Sequence, residues 1–143
     1  MKFFYFITLL TFVLYHLSTT AAALPAPSNM TRVIELTPEN FDEYVNPGAD
    51  RYTFVLYCVS WARPCKQVDE TWDIFSISQS KKKLREIFTA ARVDAKKYPE
   101  LAKRMNVNSF PTMRYYTPDF PDGLEYYGQR EVALLDSFVF QFS

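Results

Sequence analysis

Residues 52–66 read YTFVLYCVSWARPCK, and the two halves of this stretch follow different rules. Tyr52 to Cys58 is an unbroken apolar and β-branched run, the pattern of a strand buried on both faces in a parallel sheet. It is the predicted centre of the fold. Beyond it Cys65, Val68, Trp72 and Phe75 recur at three- and four-residue spacing, so a helix should start near Ala62 and turn one stripe inward. Trp72 lies on that stripe and is expected in the core. The helix should fray or bend through Ser76 to Ser80, ahead of Lys81-Lys82-Lys83, a run that reads as a solvated face rather than a nucleic-acid patch.

Upstream, Val33, Ile34 and Leu36 mark a strand over 32–36, and Thr37-Pro38-Glu39-Asn40 supplies an N-cap, an early proline and an acidic first turn for a short helix through Phe41 and Tyr44. Downstream, Phe88 to Val93 reads as a strand and Tyr98 to Met105 as a helix. Met113 to Tyr116 and Leu124 to Tyr127 read as a hairpin turned at Asp119 to Gly123, and Glu131 to Phe140 as a last amphipathic helix. The order βαβαβαββα predicts an α/β fold with a central mixed sheet and helices on both faces.

With 143 residues the chain holds one ordinary domain and a terminal extension. Lys and Arg total 16 and so do Asp and Glu, leaving no net field to attract nucleic acid. Met1-Lys2 followed by the apolar run Phe3 to Leu17 and by Ala21-Ala22-Ala23 reads as a secretory signal peptide over 1–23. Cleavage is expected after Ala23, because cleavage after Ala26 would put Pro27 at the scissile bond. No stable membrane insertion is expected once that segment is removed. Its loss also takes away His16, the one histidine, which excludes histidine triads and histidine-ligated metals. No metal and no cofactor is expected. Residues 24–31 form an extended leader ahead of a domain over 32–143, and Asn29-Met30-Thr31 within the leader is an N-glycosylation sequon.

The segment from Arg32 to Phe140 resembles the thioredoxin fold, and more specifically a catalytic-type domain of the protein disulfide isomerase family. Tyr57 to Lys66 (YCVSWARPCK) is similar, without a gap, to the family's active-site stretch aromatic-x-x-x-Trp-Cys-x-x-Cys-Lys. Val93-Asp94-Ala95 with Leu101-Ala102 and Val107, the Phe110-Pro111-Thr112 loop, and Gly128 before the last helix also match the family's pattern. The resemblance implies a cis Pro111 beside which an extended substrate pairs, with Trp61 and Phe110 flanking it and Arg63 on the same surface.

The departure decides the chemistry. The family's first cysteine sits at a helix N-terminus, where the dipole lowers its pKa and makes it the attacking thiolate. That position here is Ala62. Cys65 matches the second, resolving cysteine, the one remaining catalytic candidate of the motif. The carboxylate that relatives bury beneath the pair aligns with Leu56. Cys58, seven residues before Cys65, is a possible redox partner. Two separate buried thiols are expected, with a Cys58–Cys65 disulfide as the alternative.

The implied function is a redox-compromised protein of the secretory pathway that binds extended or unfolded polypeptide clients. The alternative is a thiol–disulfide oxidoreductase or isomerase acting through Cys65, alone or with Cys58. The chain ends in Gln141-Phe142-Ser143 without a Lys-Asp-Glu-Leu type signal, so the expected location is the endoplasmic reticulum lumen or the exterior.

Overall fold

A computed structural model describes residues 33–46, 48, 50–80 and 87–143. The expected signal peptide, the whole leader with Asn29, and the Lys81–Lys83 run lie outside the described residues. The chain divides into two units, Met1–Met30 and Thr31–Ser143, and all the described residues belong to the second.

Its elements are β1 (Ile34–Glu35), α1 (Phe41–Tyr44), β2 (Tyr52–Cys58), α2 (Arg63–Ser80), β3 (Phe88–Asp94), α3 (Pro99–Arg104), β4 (Thr112–Thr117), β5 (Phe120–Glu125) and α4 (Val132–Gln141), in the predicted order. The strands lie as β1-β3-β2-β4-β5. β2 runs parallel to β3 and antiparallel to β4, and every residue from Thr53 to Cys58 is buried. A strand with partners on both edges and layers on both faces has no wet side, which is why its sequence shows no alternation.

Three expectations need correcting. α2 continues to Ser80 instead of fraying after Phe75. The hydroxyls of Ser76, Ser78 and Ser80 donate to the carbonyls of Asp73, Phe75 and Ile77, so these serines are absorbed by the helix, and Gln79 is buried with its amide on Asp136 of α4. Phe120 to Gly123 belongs to β5 and is not turn material. β5 is an edge strand, where the missing N–H of Pro121 costs no ladder bond, and Gly123 takes a positive φ of 86° that suits glycine beside the irregular register at Tyr115 and Thr117. Third, the first strand is shorter than expected, two residues long.

The core on one side of the sheet is aromatic. Phe54 of β2 sits with its ring centroid 4.9 Å from Trp72, 5.8 Å from Phe75, 5.4 Å from Tyr115 and 5.6 Å from Phe138. Trp72 is wholly buried, as its place on the stripe requires, and its indole N–H donates to the carbonyl of Ala91 at 3.1 Å. This packing fixes α2 and α4 on β2, and so fixes where the first turn of α2 meets the end of the sheet.

Candidate functional site at the carboxyl ends of the parallel strands

Cys58 closes β2, and its carbonyl accepts a bond from the N–H of Ala95 (2.8 Å), tying the ends of β2 and β3 together. The chain then turns back on itself as Ala62 N–H donates to the carbonyl of Val59 (3.1 Å). The Ala62 carbonyl accepts from Cys65 N–H (3.0 Å) and Lys66 N–H (3.2 Å), so Ala62 opens α2. Pro64 stands in the first turn, where a helix needs no N–H from it.

This turn brings Cys58 and Cys65 to a Cα separation of 5.6 Å, and their sulfurs are bonded. The expectation of two separate thiols is therefore corrected: both cysteines sit in one disulfide, and no free cysteine is left. The reason is geometric. A strand end and the first turn of the next helix, folded over a tight loop, place two residues seven apart within bonding range. The bond is covered, with Cys58 5% and Cys65 1% exposed, and Val59 N–H lies 3.3 Å from the Cys65 sulfur as its donor.

Leu56, two residues before Cys58 on β2 and so on the same face of the sheet, is fully buried. Tyr57, also fully buried, shares a 2.7 Å hydroxyl bond with Tyr116. Burial, followed by the neighbouring Tyr116, raises the Tyr57 hydroxyl well above the usual tyrosine range. The face of β2 that carries Cys58 therefore offers apolar Leu56 and no carboxylate, while the neutral Tyr57–Tyr116 phenol pair lies on the opposite face of the sheet.

Trp61 is 68% exposed and Arg63 is exposed, whereas Ala62 between them is half-buried. The Phe110–Pro111 peptide is cis. The Thr112 hydroxyl donates to the Ser109 carbonyl at 2.7 Å, closing the loop, and Thr112 pairs in register with Tyr57. That register puts Phe110 and Pro111 at the same end of the sheet as Cys58, Trp61 and Arg63. The backbone of Phe110 and Pro111 precedes the β2–β4 ladder, which begins at Thr112. The half-buried Phe110 side chain packs against the core.

A hollow of about 200 Å³ lies beside Pro111, walled by Ser109, Tyr126, Tyr127 and Arg130. Tyr127 is 85% exposed, and the Tyr126 hydroxyl donates to the Gln129 carbonyl (2.6 Å) to brace the loop. A second hollow, about 340 Å³, lies on the α3 side of Phe110. Sequence reasoning named Gly128 but missed Tyr127, Arg130 and the α3 wall; the adjacent Tyr126-Tyr127 pair was the available signal. No cluster of three or more His, Cys, Asp or Glu side chains able to hold a metal occurs among the described residues.

The Thioredoxin family model matches residues 32–141. Protein disulfide-isomerase 5-2 of Arabidopsis thaliana is 31% identical over 110 residues, covering 77% of this chain and 24% of that protein. Probable protein disulfide-isomerase A6 of Medicago sativa is 30% identical over 122 residues, covering 85% of this chain and 30% of that protein. Among solved structures, the zinc-bound form of human ERp44 superposes with a TM-score of 0.69 at 25% identity, over 77% of this chain and 30% of that one. The first thioredoxin domain of mouse protein disulfide-isomerase A4, at TM-score 0.65 and 21% identity over 80% of this chain and 76% of that one, shares the fold. The chain thus spans about a quarter to a third of the length of these curated relatives.

Proposed function

Because this chain belongs to the Thioredoxin family, as a thioredoxin-fold domain of the protein disulfide isomerase type, we propose that it keeps the family's polypeptide-binding surface without its exchange chemistry. The observation that carries this reading is the site's inversion of the usual exposure. The helix N-terminus that would activate a thiolate presents the methyl group of Ala62, the two cysteines lie covered and bonded to each other, and Trp61 projects into solvent. A methyl group cannot attack a disulfide. A covered sulfur cannot be reached by a client thiol.

What remains usable is contact. Trp61 offers a large rigid ring, Arg63 a cation beside it, and the Phe110–Pro111 loop a stretch of backbone outside the ladder, to which an extended client can add main-chain hydrogen bonds. Clients are extended or unfolded polypeptides, and the setting is the secretory pathway, supported by the amino-terminal apolar run and by the relatives.

A titration of the protein with a reduced, alkylated unfolded client tests the proposal. Trp61→Ala should weaken binding by about 1 kcal/mol or more with the melting curve unmoved, as for an aromatic anchor on a surface. Unchanged affinity in that variant and in Phe110→Ala would refute the binding surface.

The Cys58–Cys65 bond itself favours a second reading, in which the pair exchanges with clients through Cys65. A mixed disulfide on Cys65, trapped by acid quench and found by mass spectrometry, would establish it.

A further inference from the structure

We infer that the hollow between α3 and Phe110 is a client subsite that takes an apolar side chain adjacent to an acidic one, with Lys103 as the counter-charge. This inference rests on the client-binding function proposed above and names the class of segment that surface selects.

The hollow, about 340 Å³, is walled by the apolar Pro99, Ala102, Val107 and Phe110 together with Asn106 and Asn108, and no carboxylate lines it. Such walls gain by covering an aliphatic or aromatic side chain, since the driving force is apolar area removed from water. Lys103 stands at its edge, one turn along α3 from Pro99. Its neighbours are committed: Arg104 pairs with Asp42 at 2.9 Å and Lys97 with Glu35 at 3.0 Å. Lys103 forms no ion pair among the described residues, and its flexible stem can carry the ammonium over the mouth.

The surroundings lean the same way. Arg63 and Lys66, in the first turn of α2 at this end of the sheet, are exposed and form no ion pair among the described residues. Two carboxylates lie near in sequence: Asp94, at the end of β3, is turned onto its own loop, accepting the N–H groups of Lys96 (2.9 Å) and Lys97 (3.2 Å), and Glu100, three residues before Lys103 on α3, is exposed and does not line the hollow. The hollow on the other side of the loop differs, for it has a carboxylate in its own wall: Glu125, held 3.4 Å from Arg114, lines it together with Arg130. Charge selection therefore belongs to the α3 side.

Fluorescence anisotropy with the protein and three dye-labelled extended peptides tests this. The peptides share a central leucine and differ only in its flanking residues, which are Asp, Asn or Lys. At low salt the Asp peptide should bind roughly two- to fivefold more tightly than the Asn peptide, the gain of one exposed ion pair, and the Lys peptide more weakly than either. The Asp advantage should shrink as salt rises. Lys103→Gln should remove the Asp advantage while leaving the Asn peptide's affinity unchanged, and Lys103→Glu should make the Lys peptide the tightest. Equal binding of the Asp and Asn peptides, with Trp61→Ala still weakening both, would overturn the subsite and leave the binding function standing. Absence of binding by all three peptides would overturn both. An Asp advantage that survives in Lys103→Gln would overturn the role of Lys103.

Discussion

Opening the Cys58–Cys65 bond should cost the domain about 2.4 kcal/mol, since loop closure over about seven residues removes roughly 8 cal/mol/K from the unfolded chain in the chain-entropy account. Reduction is the right perturbation, because it restores two thiols in place and leaves the Val59 N–H its sulfur partner. Substitution would add a packing loss to the entropic one. Since the bond is covered, reduction should need denaturant first, followed by refolding in reductant. Urea unfolding followed by tryptophan fluorescence, on oxidised and reduced samples with thiols counted in each, reads the difference. For an unfolding slope of about 1–3 kcal/mol/M, the midpoint should fall by about 1–2 M with the slope little changed. Coincident midpoints in samples carrying no thiols and two thiols would refute the bond's role as a staple. A reduced sample that no longer unfolds cooperatively would refute the view that the aromatic core around Phe54 and Trp72 holds the fold without it.

The two tryptophans should behave oppositely: Trp72→Ala should destabilise the fold by roughly 3–5 kcal/mol, as a core truncation that also removes the indole donor to the Ala91 carbonyl, with Trp61→Ala nearly silent in the same melting experiment. Ala62→Cys puts a thiolate at the start of α2, where it should attack the Cys65 sulfur, form a 62–65 disulfide and release Cys58 as the free thiol. Peptide mapping after alkylation should find the label on Cys58, and insulin reduction should appear at a rate limited by the missing carboxylate at Leu56; label confined to position 62 would show that no exchange occurred. At high pH the fold should weaken, because burial raises the hydroxyls of Tyr57, Tyr116 and Tyr115, the last to about 12. The unfolded chain, titrating near 10.0, then loses these protons first, so stability present below that pH is lost as pH climbs through the folded values. Tyrosinate absorbance and circular dichroism in one titration should show these three phenols ionising only as the fold melts; their ionisation near pH 10 with the fold intact would contradict the burial argument.

The parts of this fold that sequence reveals are those where one local rule governs. β2 was legible because burial on both faces leaves a continuous apolar run, and the inward stripe of α2 because Cys65, Val68, Trp72 and Phe75 keep helical spacing. The Ser76–Ser80 segment misled because serine's intrinsic preference for local bonds is satisfied here inside the helix, with Gln79 anchored on α4. β5 misled for the opposite reason: Pro121, Asp122 and Gly123 carry turn chemistry, yet an edge strand tolerates all three. The disulfide depended on the Ala62-to-Val59 backbone bond, a turn whose closure no spacing rule supplies. Trp61, Phe110 and Pro111 could be placed through motif resemblance, but Lys103, Tyr127 and Arg130 could not, because the hollows they edge are assembled from segments distant in sequence.

Insulin reduction by the unmodified protein, with dithiothreitol as electron donor and a Cys-x-x-Cys relative alongside, tests most directly whether this site binds without exchanging. The expected result is turbidity growing no faster than with dithiothreitol alone, because Ala62 offers no thiolate and the Cys58–Cys65 sulfurs are covered. A rate comparable to that of the Cys-x-x-Cys relative would contradict the account and make the bonded pair the working centre of an oxidoreductase.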